Sequence, residues 1–144
     1  MLHPGQLVSL QIEKPAAGGP MIARADGQVV LVSGAIPGER VRAHIDRIGK
    51  GVAYASVQAV EEPSTDRREP STDPLCGGCL YAHMAYPRQL AIKAQVVADA
   101  FARIGRLPLS SLIGVAPSPQ EGYRMRARLH VRDGAIGFFR EGSH

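Results

Sequence analysis

The segment Cys76-Gly-Gly-Cys79 holds the only two cysteines of this 144-residue chain, and His83 follows four residues later. Two thiolates at this spacing can bind one metal ion together, because the short loop converges their sulfurs. Cys76, Cys79 and His83 give three candidate zinc ligands, one fewer than a closed structural site uses. The spacing alone therefore leaves open half of a metal or cluster site, a redox pair and two inert thiols.

Two rows of arginines are the candidate residues for binding a polyanion. Arg124, Arg126 and Arg128 alternate along the segment YRMRARLHV, so an extended strand would place all three on one face. Arg40 and Arg42 form a shorter row of the same kind. Such rows can follow a phosphate backbone, and they are the predicted RNA-binding residues. The alternative is a solvated strand face in a basic protein of net charge +4.

The sequence contains no recognisable active site. It has no glycine-rich loop between a strand and a helix of the kind that binds S-adenosylmethionine or a dinucleotide, and no phosphate-binding loop. No catalytic residue and no S-adenosylmethionine ligand is therefore predicted. No apolar run approaches the roughly 20 residues of a membrane helix, and the first ten residues do not resemble a signal peptide. We expect a cytoplasmic monomer that does not bind a membrane.

Residues 1–61 are predicted to form a small closed β-barrel. Segments 6–14, 40–49 and 52–61 alternate apolar and polar residues with a period of two, and two shorter strands flank Asp26-Gly27, a dipeptide suited to a hairpin turn. Five short strands in about 60 residues favour a barrel, since closure removes exposed edges.

Residues 62–84 are predicted to be an irregular linker that includes the cysteine loop, and residues 85–144 a small α+β segment. The linker contains EPSTD twice. Pro87 suits the first turn of a helix. The predicted apolar side of this helix consists of Leu90, Ala94, Val97, Phe101 and Ile104. A strand over 123–131 then turns at Asp133-Gly134 into a hairpin.

Several of these segments, in this order, resemble one family. ARADGQVVLVSGAIPGERVRAHI (23–45) followed by VAYASVQAV (52–60) is similar to the TRAM domain, an OB-like RNA-binding barrel of uracil-5 RNA methyltransferases. DRREP, CGGC and YPRQLAIK resemble the iron–sulfur loop and the following helix of that family. SPQEGYRMRARLHVRDGAIGFF (118–139) is similar to the start of its central subdomain.

The resemblance implies the RNA-binding N-terminal part of an S-adenosylmethionine-dependent enzyme that methylates C5 of a uracil in ribosomal or transfer RNA. The family's catalytic cysteine and carboxylate, and its S-adenosylmethionine site, lie in a further domain, which we expect beyond His144. By resemblance, Cys76 and Cys79 are ligands of a [4Fe–4S] cluster, but the set is incomplete. The family has another cysteine shortly upstream, where this chain has only Ser71, Thr72 and Asp73.

Two alternatives remain open on the sequence alone. The chain could be a freestanding TRAM-type RNA-binding protein with a vestigial metal loop. It could also be a small zinc protein that uses Cys76, Cys79 and His83.

Overall fold

The computed structural model describes residues 1–70, 73, 76–111 and 113–140. The elements in this part of the chain are β1 (Leu7–Pro15), β2 (Met21–Ala25), β3 (Gln28–Ser33), β4 (Arg40–Ile48), β5 (Val52–Glu62), α1 (Tyr86–Arg103), β6 (His130–Arg132) and β7 (Ala135–Gly137). The predicted fold class is confirmed: a closed five-stranded barrel precedes a cysteine loop, one helix and a β-hairpin.

The barrel strands follow the order β1-β2-β3-β5-β4, and β4 closes the barrel by pairing with β1. All pairs are antiparallel except β3 with β5. The period-two alternation turns one set of side chains inward, and these are almost fully buried. The inward core residues of the strands are Leu10, Ile12, Met21, Ala23, Val30, Val32, Val41, Ala43, Ile45, Ala53 and Ala55.

Both Asp-Gly dipeptides form the turns that the sequence predicts. Asp26 and Gly27 have φ angles of +50° and +74°, and Asp133 and Gly134 have +50° and +78°. Two consecutive residues with positive φ match the twist of a tight hairpin, which is why Asp-Gly is favoured there.

The helix buries only part of the predicted apolar side, together with Ile92, which the prediction did not include. Its buried residues are Ile92 and Ala94, and Ile92 joins the barrel core. Val97, Phe101 and Ile104 are 39%, 42% and 81% exposed. Val96 also packs against the core and Asp99 pairs with Lys14 of β1 at 3.3 Å, whereas the last turn of the helix has little described structure to pack against. The helical period was therefore right, but most of the expected apolar contact is absent from the described residues.

The strand predicted over 123–131 is much shorter in the structure. Only His130–Arg132 is a strand, paired with Ala135–Gly137. A strand is stable only with a neighbour that pairs its backbone groups, and no described segment pairs with 123–129. Met125 is accordingly 98% exposed, and Val131 is 71% exposed although it lies in the short hairpin.

Candidate functional site

A buried carboxylate joins the barrel to the linker after β5. Glu39 is 0% exposed and accepts hydrogen bonds from the backbone N–H of Ile36 at 2.9 Å and of Ser64 at 3.0 Å. Nε and Nη2 of Arg67 donate to its two oxygens, each at 2.7 Å. Burial alone raises the pKa of Glu39, but the hydrogen bonds from Arg67, Ser64 and Ile36 outweigh it and leave the pKa below its ordinary value. We call this Glu39–Arg67 contact the clasp.

Further contacts order the linker internally and hold it on the barrel. The N–H of Arg68 donates to the His83 carbonyl at 2.9 Å, and Nε2 of His83 lies 2.9 Å from the Ala35 carbonyl oxygen. Met84 is only 3% exposed and belongs to the barrel core. Residues 62–84 are therefore irregular but fixed where they are described. The division at 1–61, 62–84 and 85–144 stays a prediction.

The cysteine loop is organised by backbone contacts. Cys76 N–H donates to the Asp73 carbonyl at 2.9 Å, Cys79 N–H to the Cys76 carbonyl at 3.0 Å, and Gly77 N–H to the Phe139 carbonyl at 3.0 Å. Both cysteines are free and half-buried. A hydrogen bond with the Cys79 thiol raises the pKa of Cys76 above its ordinary value.

The metal sites suggested by the sequence do not fit these residues. The described part of the chain contains no group of three or more histidine, cysteine, aspartate or glutamate side chains placed to hold a metal ion. The ring of His83 contacts the Ala35 carbonyl and does not join the thiols in such a group. The whole chain has two cysteines, whereas a cysteine-bound cluster uses four thiolates. Cys76 and Cys79 alone therefore do not fit a [4Fe–4S] cluster.

The described residues do not fit S-adenosylmethionine either. Their one parallel strand pair, β3 with β5, is part of the barrel wall, and no glycine-rich loop leads from it into a helix.

The Arg40/Arg42 row lies among acidic side chains. Nε of Arg40 is 3.4 Å from Oε1 of Glu62 on β5. Ser9 lies opposite Arg42 on β1, and its hydroxyl donates to Glu61 at 2.7 Å. A phosphate group that approached this row would meet two carboxylates. The assignment of Arg40 and Arg42 to RNA binding stays a prediction.

The second row is exposed but is not presented by a strand. Arg124, Arg126 and Arg128 lie in the irregular stretch before β6, so they do not share a strand face. Nη2 of Arg124 is 3.5 Å from the Tyr123 hydroxyl, and its guanidinium carbon is 5.7 Å from the centre of that ring. Their role in RNA binding also stays a prediction.

A feature that the sequence did not reveal lies where β4 passes into β5. The guanidinium carbon of Arg47 is 3.4 Å from the centre of the Tyr54 ring. A register irregularity between Ile45 and Arg47 places Arg47 opposite Tyr54. The strict alternation expected along 40–49 could not show this pair, because a bulge interrupts it.

Among the described residues, no helix is both long and apolar enough to span a membrane.

Comparisons with known proteins identify relatives of the chain. The TRAM domain profile matches residues 2–57, which include almost the whole barrel. An uncharacterized RNA methyltransferase from Thermosynechococcus vestitus is 34% identical over 97% of this chain and 33% of its own length. The 23S rRNA (uracil(1939)-C(5))-methyltransferase RlmD of Bordetella avium is 40% identical over 85% of this chain and 26% of its own length. The chain thus spans about a quarter to a third of these relatives.

A solved structure shares the fold. The Pyrococcus abyssi tRNA (uracil-54, C5)-methyltransferase, crystallised with S-adenosyl-L-homocysteine, matches 90% of this chain and 28% of its own with a TM-score of 0.54 and 23% identity. At that identity the match supports the architecture of the barrel and the elements after it.

Proposed function

We propose that this chain, which belongs to the TRAM-domain-containing family of uracil-C5 RNA methyltransferases, is the RNA-binding part of such an enzyme. One observation carries the proposal: residues 2–57 match a TRAM domain and fold as a closed barrel, and the similarity to RNA methyltransferases continues past the barrel. The substrate class is ribosomal or transfer RNA, since one relative is named for 23S rRNA and a solved structure with the same fold for tRNA.

The chain's own residues contribute binding and orientation. Enzymes that modify a base within folded RNA must expose it, and backbone contacts can hold the RNA while the base is extruded. Methyl transfer from S-adenosylmethionine is assigned to residues outside this chain. The described residues of the chain do not fit that cofactor, and they do not provide a catalytic nucleophile together with a general base. We further propose that the protein acts as a monomer in the cytoplasm, where two closely spaced thiols remain reduced.

The clasp fixes the orientation of the barrel relative to the linker. Arg67 binds Glu39 with two charge-assisted hydrogen bonds, and its Nη2 also donates to the Gly34 carbonyl at 2.8 Å. RNA held on the barrel would therefore be held in a defined position relative to the helix and the cysteine loop.

Fluorescence anisotropy with a labelled RNA hairpin at 50 and 200 mM salt tests RNA binding. If about three phosphates are contacted, the fourfold rise in salt weakens binding by about twentyfold to fortyfold. A single-stranded DNA of the same length and charge is the matched control for a preference for RNA. Absent binding at 50 mM salt, or binding that salt does not change, would refute the proposal.

A further inference from the structure

We infer that the barrel carries a stacking platform for an unpaired RNA base, formed by the guanidinium of Arg47 lying on the ring of Tyr54. The inference rests on the proposed function, since it takes RNA as the partner. It goes further, because it assigns RNA binding to the turn between β4 and β5, the contact to base stacking and the RNA to unpaired nucleotides. It also differs from the Arg40/Arg42 row that the sequence suggests.

The geometry of the pair is that of a stack with one side open. The guanidinium carbon lies over the ring, 3.4 Å from its centre, which is the contact distance at which two flat groups stack. Tyr54 is half-buried beneath, and Arg47 is exposed above it. The outer face of the guanidinium is thus flat, cationic and accessible. Arginine planes and aromatic rings are the surfaces on which unpaired RNA bases stack.

The surrounding turn holds the ring in place. A Cβ on Gly49 would lie 3.3 Å from a carbon of the Tyr54 ring, so the glycine backbone packs closely against the ring edge. The N–H of Gly49 donates to the Val52 carbonyl at 2.7 Å, and Gly51 has a φ of +80°, which closes the turn. A platform fixed in advance loses little conformational freedom when a base binds.

The charge around the platform favours a polyanion. Within the described residues Arg47 makes no ion pair, and Lys50 in the same turn is exposed. The nearest acid in sequence, Asp46, has its Oδ1 2.9 Å from Nδ1 of His44 and 3.1 Å from the Ser56 hydroxyl, so it is occupied by other partners. A phosphate next to a stacked base can therefore approach Lys50 and Arg47. This contrasts with Arg40, which already pairs with Glu62.

Three variants separate stacking from charge. Arg47→Ala removes both the plane and the charge, Arg47→Lys keeps the charge without the plane, and Arg103→Ala removes an exposed charge at the end of α1, away from the barrel turn. Binding is measured by anisotropy at 100 mM salt with an RNA hairpin that has a uridine loop, and with a blunt duplex of equal length. Circular dichroism and the Tm confirm that each variant folds.

For the hairpin we expect Arg47→Ala and Arg47→Lys each to weaken binding about tenfold, since losing one base stack has this order of effect. Arg103→Ala should change it less than twofold, and the duplex, which offers no unpaired base in its stem, should hardly sense Arg47→Lys. Wild-type affinity in Arg47→Lys, or equal losses in Arg47→Ala and Arg103→Ala, would overturn the platform while leaving RNA binding intact. A wild-type chain that binds neither RNA would refute the proposed function, and the platform with it.

Discussion

Removing the Arg67 side chain tests the clasp most severely. In Arg67→Ala, Glu39 keeps its hydrogen bonds from Ile36 and Ser64, but it loses two charge-assisted bonds and its counter-charge. We expect the barrel to remain formed, because its core does not contain Arg67. The free energy of unfolding should fall substantially.

The size of the loss can be worked out from the contacts. Two hydrogen bonds to a charged group contribute about 1.5–3 kcal/mol each, and breaking a buried ion pair from one side costs about 3–5 kcal/mol. The Glu39 side chain is 0% exposed but that of Arg67 is 22% exposed, so water can partly replace the lost guanidinium. We therefore expect a loss of about 3 kcal/mol, which for a chain of this size lowers the Tm by about 10 °C.

Urea denaturation followed by circular dichroism measures the loss, with an unchanged m-value as the check that the unfolding transition is the same. Arg68→Ala is the matched control. The exposed guanidinium of Arg68 donates to the backbone carbonyls of Thr65 and Arg67 and makes no ion pair within the described residues, so its loss should cost less than about 1 kcal/mol. Equal losses in the two variants would show that the clasp does not stabilise the fold.

Three further predictions address acid, the thiols and a close backbone approach. Folding lowers the pKa of Glu39, so the stability that its charged form contributes is complete above the ordinary pKa of a glutamate and is lost as the pH falls towards the lowered folded-state value. Glu39→Gln should therefore lose less stability in acid than the wild type, as measured by urea titrations at stepped pH. Cys76→Ser/Cys79→Ser should shift the Tm by less than about 3 °C, because backbone contacts fix the loop; a large drop, or a drop on adding a chelator to the wild type, would reveal a structural metal. Gly19→Ala should cost about 1 kcal/mol more than Gly18→Ala. Both glycines have positive φ, but only at Gly19 would a Cβ lie 2.8 Å from Cδ1 and 3.3 Å from Cβ of Leu80, and the Leu80 side chain can relieve only the first contact by rotating. Equal costs would show that this contact yields freely.

The sequence predicts those parts of the fold that depend on local pattern. The period-two strands, the two Asp-Gly turns and the helix with Pro87 in its first turn each arise from residues close together in the chain. The clasp could not be predicted, since Glu39 and Arg67 are 28 residues apart and meet only after the barrel has closed. The strand expected over 123–131 shows the reverse case, in which a strong local pattern has no described neighbour to pair with.

The candidate site was predicted less well, for a related reason. The row of Arg40 and Arg42 is visible in the sequence, but Glu61 and Glu62, which partly offset its charge, come from another strand. The Arg47–Tyr54 stack depends on a bulge that no alternation pattern reveals. Cysteine spacing likewise showed that two thiols could bind one metal ion together. It could not show that, among the described residues, no third metal ligand lies beside them.

The most direct test of the account is to observe which amides sense RNA. At 15.4 kDa the chain suits two-dimensional ¹H–¹⁵N NMR, recorded during titration with a short single-stranded uridine RNA. We expect the largest shifts in the barrel, concentrated around Arg47 and Tyr54, and we expect them to shrink as salt is raised. Barrel signals that stay in place at saturating RNA would contradict this expectation.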